Sequence, residues 1–138
     1  MLFDIYQWKQ KMFDGSFATF EKVKRREDTV TIVPITTNKK IISVHEEQAP
    51  KKLVLWDSLQ PSGHIDWAHY IFIAYGCKKI RSQHLDAGEK IKTRNISFQQ
   101  FLRLAARDDF RAKDVALKVF RTLTLPKGEK KLRKALGF

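Results

Sequence analysis

From Phe3 to Cys77 the apolar residues recur largely two apart, and only after Ser97 does the spacing change to three and four. A period of two places alternate side chains on opposite faces of a strand, whereas a spacing of three and four lines one face of a helix. Strands therefore come first and helices last, an order that belongs to α+β domains. At 138 residues the chain is long enough for one domain with a real core.

The pattern resolves into elements. Alternating aromatic and polar residues flank Asp14-Gly15, a strong hairpin signal, and predict antiparallel strands over Ile5 to Lys11 and Ser16 to Lys24. Strands follow over Thr29 to Ile35 and Lys40 to His45, with a turn at Thr37-Asn38. "KLVLWDSL" is a strand, "QPSGHIDW" a loop, "AHYIFIAYGCKKI" the most apolar and central strand, and "IKTRNI" a short one. Ser97 with Gln100 makes a capping box for a helix carrying Phe98, Phe101, Leu102 and Ala105. A second helix presents Val115, Ala116, Val119, Phe120 and Leu123 on one face and ends at Pro126-Lys127-Gly128; "EKKLRKALGF" is a basic terminal helix or tail.

The charge is the compositional outlier. With 27 Lys+Arg against 15 Asp+Glu the formal net is +12, which favours weak, nonspecific attraction to polyanions. No run approaches the ~20 apolar residues of a membrane span, and Asp4 and Lys9 interrupt the start, which does not read as a secretory signal. Cys77 is the only cysteine; it excludes an internal disulfide, reads as a packed strand residue, and fits a reducing cytoplasm.

Two blocks of the sequence carry a resemblance. "FDGSFATFEKVKRREDTVTIVPITTNKKIISVHEEQ" resembles the amino-terminal sheet of Nudix hydrolases of the ADP-ribose and nucleotide-sugar pyrophosphatase type. "LWDSLQPSGHIDWAHYIFIAYGCKKIRSQHLDAGEKIKTRNISFQQFL" is similar to the carboxy-terminal half of the same domain. The resemblance implies a single Nudix-like domain over 1–138, with residues 1–48 as the amino-terminal sheet half and 53–138 as the carboxy-terminal half. Its mixed sheet has an amino-terminal antiparallel hairpin and carboxy-terminal helices.

What defines that family is the Nudix box, a loop-helix-loop written G-x5-E-x7-R-E-U-x-E-E-x-G-U with U a bulky aliphatic. Its glutamates gather Mg²⁺ or Mn²⁺ against a pyrophosphate, since hard cations need several oxygen ligands. Here the corresponding interval is "QAPKK", and no other stretch supplies the pattern. "ARDDFRAKD" brings Asp108, Asp109 and Asp114 but no glutamate cluster. The catalytic loop-helix-loop is missing between Gln48 and Leu53, which leaves a more basic remainder. The expectation is a protein related to nucleoside-diphosphate-derivative pyrophosphatases, catalytically inactive or severely impaired, with no Mg or Mn bound.

A few residues remain as candidates through the resemblance. Glu89 in "DAGEKI" matches a loop position where relatives place an auxiliary catalytic or metal-binding carboxylate, with Asp86 near it. Glu46 and Glu47 end a strand facing the lost site. Neighbouring strand residues point to opposite faces, so at most one of them reaches a ligand, and Glu47 is carried forward as a metal or substrate candidate. Arg25 and Arg26 lie where the family often contacts substrate phosphates. The histidines (His45, His64, His69, His84) lack zinc spacing. Trp56, Trp67 and Phe72 read as core or dimer-interface residues rather than base-stacking platforms. The alternative function is a non-catalytic nucleotide- or polyanion-binding module, or a homodimerisation module working through the amino-terminal sheet. How the strands flanking Gln48 to Lys52 pair, as a hairpin or with a sheet edge left open, stays undecided at this level.

Overall fold

The computed structural model describes residues 2–43, 48–60, 62–79 and 93–138. Strands β1 (Phe3–Lys11), β2 (Phe17–Arg25), β3 (Thr29–Thr36) and β4 (Ile41–Ser43) come first. They are followed by β5 (Gln48–Ala49), β6 (Lys52–Leu59), β7 (Ile65–Asp66), β8 (His69–Lys79) and β9 (Arg94–Ile96). Helices α1 (Phe98–Ala105), α2 (Lys113–Leu123) and α3 (Gly128–Ala135) close the order. The chain divides into two compact units, Met1–Val30 with Ser58–Tyr70, and Thr31–Asp57 with Ile71–Phe138.

In the first unit β1 and β2 pair antiparallel from Phe3↔Arg25 to Lys11↔Phe17. The turn follows from Asp14-Gly15: Gly15 takes φ +85, and the Ser16 N–H donates to the Asp14 carboxylate at 2.9 Å. The Ser16 hydroxyl donates to the same oxygen at 2.7 Å, and these bonds hold the Asp14 carboxyl below its ordinary range. Cross-strand Trp8 and Phe20 stack with ring centroids 5.8 Å apart. β7 adds to β2 in parallel through Val23↔Ile65 and Lys24↔Asp66. The stretch expected to be only loop therefore holds a short strand. Two residues are too few to show a period, and what makes them a strand is the open edge of β2.

In the second unit the sheet runs β5-β8-β3-β4-β9, with β6 also on β8. The β3–β4 turn lies at the expected place, closed by the Thr36 N–H donating to the Lys40 carbonyl at 2.8 Å. β4 and β6 are not neighbours, so the short join does not make a hairpin of them. Instead β5 pairs with β8 through Gln48↔Lys79 and Ala49↔Lys78, and the Lys51 N–H then donates to the Tyr75 carbonyl at 2.9 Å. From Ala49 to Lys51 is two steps and from Lys78 to Tyr75 is three, so β8 carries one extra residue. Gly76, at φ +67, sits in that bulge, where an αL conformation is what such a bulge requires.

The helices cover their apolar sides. Ser97 and Gln100 form the expected capping box on α1, whose Phe98, Phe101 and Ala105 are buried. Each buried Phe side chain stabilises by roughly 1.5–3 kcal/mol. On α2, Val115, Ala116 and Val119 are buried, but Phe120 is 41% exposed and lies off the covered face. The basic terminal segment is a helix with Leu132 and Leu136 fully buried. The Tyr75 hydroxyl donates to the Ala135 carbonyl, which ties α3 to β8. Lys118 of α2 meets Asp57 of β6 at 3.3 Å. Cys77 is a buried strand residue, as its apolar setting predicts.

Candidate functional site

Arg25 and Arg26 are consecutive, and the structure gives them different surroundings. Arg25 closes β2. Its Nη1 donates to the Thr29 hydroxyl at 2.6 Å, and its guanidinium lies 5.4 Å from the centroid of the Trp67 ring. The indole N–H of Trp67 donates to the same Thr29 oxygen at 3.0 Å. Two further bonds fix the backbone around this clamp: the Ala68 N–H donates to Asp28 Oδ1 at 2.8 Å, and the Thr29 N–H donates to the Ala68 carbonyl at 3.0 Å. All of these residues belong to the first unit.

The chemistry of the clamp is that of a preset cation. A guanidinium on an aromatic face gains a cation–π contribution of about 0.5–2 kcal/mol, depending on how far it is desolvated. Arg25 is half-buried and commits one of its N–H groups to Thr29. The remaining donors are held in a nearly fixed plane, which lowers the ordering cost of receiving an anion. Arg26 is paired with Asp4 at 3.3 Å, with its side chain 62% exposed. An exposed pair of that length contributes little to stability.

The sequence singled out both arginines but not their partners. Thr29 and Trp67 are 38 residues apart, and Trp67 reads as a core or interface side chain until the two segments are seen together. Glu47 and Glu89, with Glu46 and Asp86, lie outside the described residues. Among the described residues no group of three or more His, Cys, Asp or Glu side chains is placed to hold a metal ion. The donor set that Mg²⁺ or Mn²⁺ would need is thus not supplied by the described residues.

Among the described residues no helix is long and apolar enough to cross a membrane. No family model matches the chain, and no curated protein matches it. Solved structures do match. One, described as the crystal structure of an ADP compounds hydrolase, is similar over 88% of this chain and 86% of its own, with a TM-score of 0.63 at 14% identity. A likeness at that identity concerns the backbone path and not the chemistry. With its mixed sheets and its helices gathered after them, the chain has a Nudix-like α+β fold.

Proposed function

We propose that this chain is a Nudix-fold protein that binds nucleoside-diphosphate derivatives without hydrolysing them at an enzymatic rate. The carrying observation is the interval "QAPKK", which stands where the resemblance places a glutamate-rich loop-helix-loop. A neighbour of the same fold is an ADP compounds hydrolase, which supports the ligand class. In metal-dependent diphosphate hydrolysis the ions stabilise the attacking and leaving oxygens, and a chain without their ligands loses most of that stabilisation. What Arg25 retains is electrostatic: a planar, always-charged donor held by Thr29 and Trp67 and suited to a phosphate oxygen.

Calorimetric titration of ADP-ribose into the pure protein, with and without Mg²⁺, tests both halves, with AMP followed chromatographically in the same samples. The expected result is binding that is indifferent to Mg²⁺, no AMP above background, and weaker binding by Arg25→Ala of about tenfold, the scale of one charge-assisted hydrogen bond. Mg²⁺-dependent AMP release would overturn the reading and point to an alternative carboxylate set, with Glu47 and Glu89 the first to replace.

A second reading, dimerisation through the amino-terminal sheet, is favoured by one observation. β1 is an edge strand, and the ribbon leaves Ile5 72% and Phe17 69% exposed. These side chains share a face, since Ile5 pairs with Val23 and Lys11 with Phe17. Unpaired edges and exposed apolar rows are what association covers. Sedimentation velocity over a range of concentrations should show a dimer that Ile5→Lys disperses; a monomer at every concentration removes this reading.

A further inference from the structure

The second unit contains a cleft that the nucleotide reading does not use. It has a volume of about 650 Å³ and opens between β3, β4 and β9 on one side and α1 with the α1–α2 connection on the other. Its walls are apolar, set by Ile32, Val33, Ile41, Ile96, Phe101 and Val115. Such a volume falls within the roughly 300–1,000 Å³ of small-molecule pockets. Apolar walls give water no hydrogen-bond partners. An apolar occupant restores dispersion contacts that water cannot supply.

The mouth adds a charge preference. Arg107, Asp109 and Arg111 stand there. Arg107 is held by Asp109 through two bonds of 2.7 Å, so that pair is internally neutralised. The Asp109 carboxyl is held below its ordinary range by the same hydrogen bond. Among the described residues no ion pair holds Arg111. Beside it α2 begins at Ala112, whose methyl cannot cap the helix; the Lys113 N–H donates to the Arg111 carbonyl at 2.9 Å, and Asp114 stands in the first turn. Asp114, in the first turn of α2, opposes a doubly charged head.

From this geometry we infer that the cleft takes one small anionic amphiphile. Its apolar body lies against Ile32, Ile96 and Leu104, and its singly charged head, a carboxylate, meets Arg111. The chemistry is that of a medium-chain or aryl carboxylate. The free acid is the occupant argued for, because a cleft of about 650 Å³ between a sheet and a helix suits a single molecule and not a bilayer.

Decanoate, kept below its micelle concentration, is titrated calorimetrically into the full chain, into Arg111→Glu and into Ile32→Trp. Decyltrimethylammonium serves as the tail with the opposite head. Ile32 lies on β3 and is 52% exposed, so an indole there is compatible with the strand while it narrows the cleft. The expected result is one decanoate per chain, an affinity about tenfold weaker in Arg111→Glu, weaker binding again in Ile32→Trp, and a clear preference over the ammonium. Equal affinity for the two head groups, or unchanged decanoate binding by a folded Arg111→Glu, overturns the proposal. So does the absence of binding to free decanoate where anionic vesicles bind. Because ADP-ribose binding is read through Arg25 in the other unit, either result stands or falls separately.

Discussion

Two glycines show how a single hydrogen decides local structure here, and they do so by different means. At Gly128, where α3 begins against the end of α2, an added Cβ would lie 2.4 Å from the Thr122 carbonyl oxygen and 2.5 Å from that of Leu123. Both obstacles are backbone, so the helices must separate. At Gly76 the atoms nearest an added Cβ are those of the Lys51 side chain, from 3.1 Å, and the cost is mainly the φ of +67. Gly76→Ala is therefore expected to destabilise by about 1–2 kcal/mol, and Gly128→Ala by more, about 2–4 kcal/mol. Urea midpoints of the two variants check the order; a larger loss at Gly76 would contradict it. Cys77, at 3% exposure, has its thiol pushed upward chiefly by burial. The folded state then holds that proton more tightly than the unfolded one. The contribution is fully present below the unfolded thiol range of about 8.5 and is lost as pH rises toward the folded value. Stability should fall from neutral into alkaline pH, and Cys77→Ala should fall less over the same span despite its cavity. Parallel pH curves for the two proteins would refute this.

At the scale of elements, what could be read in advance is what local chemistry decides. Ser97 and Gln100 are three residues apart and cap α1 without help from elsewhere, so removing the hydroxyl has a local cost. Ser97→Ala is expected to destabilise by about 1 kcal/mol, seen as a lower thermal midpoint with the fold unchanged by circular dichroism. Asp14-Gly15 likewise carries its own turn, and the β1–β2 register follows from it. What could not be read depends on distant partners. β7 exists because β2 offers an edge, and the Gly76 bulge because β5 and β6 follow one another along β8. Phe120 illustrates a different failure. On α2 the residues Val115, Ala116, Val119 and Phe120 all fit one wide stripe, and only the packing decides that the stripe stops before Phe120. The candidate site divides in the same way: Arg25 was legible as a cation near a strand end, while the Thr29 and Trp67 that hold it come from segments far apart in sequence.

Over the whole molecule the dominant property is a formal charge of +12, which no single element explains. α3 contributes Lys130, Lys131 and Lys134 at exposed positions while its apolar side is already committed through Leu132 and Leu136. A basic helix whose apolar face is buried in its own fold has little left to insert into a bilayer, so we propose that its field acts on polyanions by charge alone. Arg133 is partly withdrawn from that field. It lies 4.1 Å from the centroid of the Phe98 ring and pairs with Glu129 at 2.8 Å. Binding of this kind carries no sequence information, because phosphate contacts position a protein without reading bases. Fluorescence anisotropy with single-stranded oligonucleotides of unrelated sequence should therefore give the same affinity for each. With several phosphates neutralised at once, log affinity should fall linearly with log salt, losing about 300-fold between roughly 50 and 200 mM if some six contacts form. Replacing Lys130, Lys131 and Lys134 with glutamine should lower that slope by about 0.7 for each contact removed. A strong preference for one sequence, or a slope that ignores the triple substitution, would show that the interaction is not the charge of this helix.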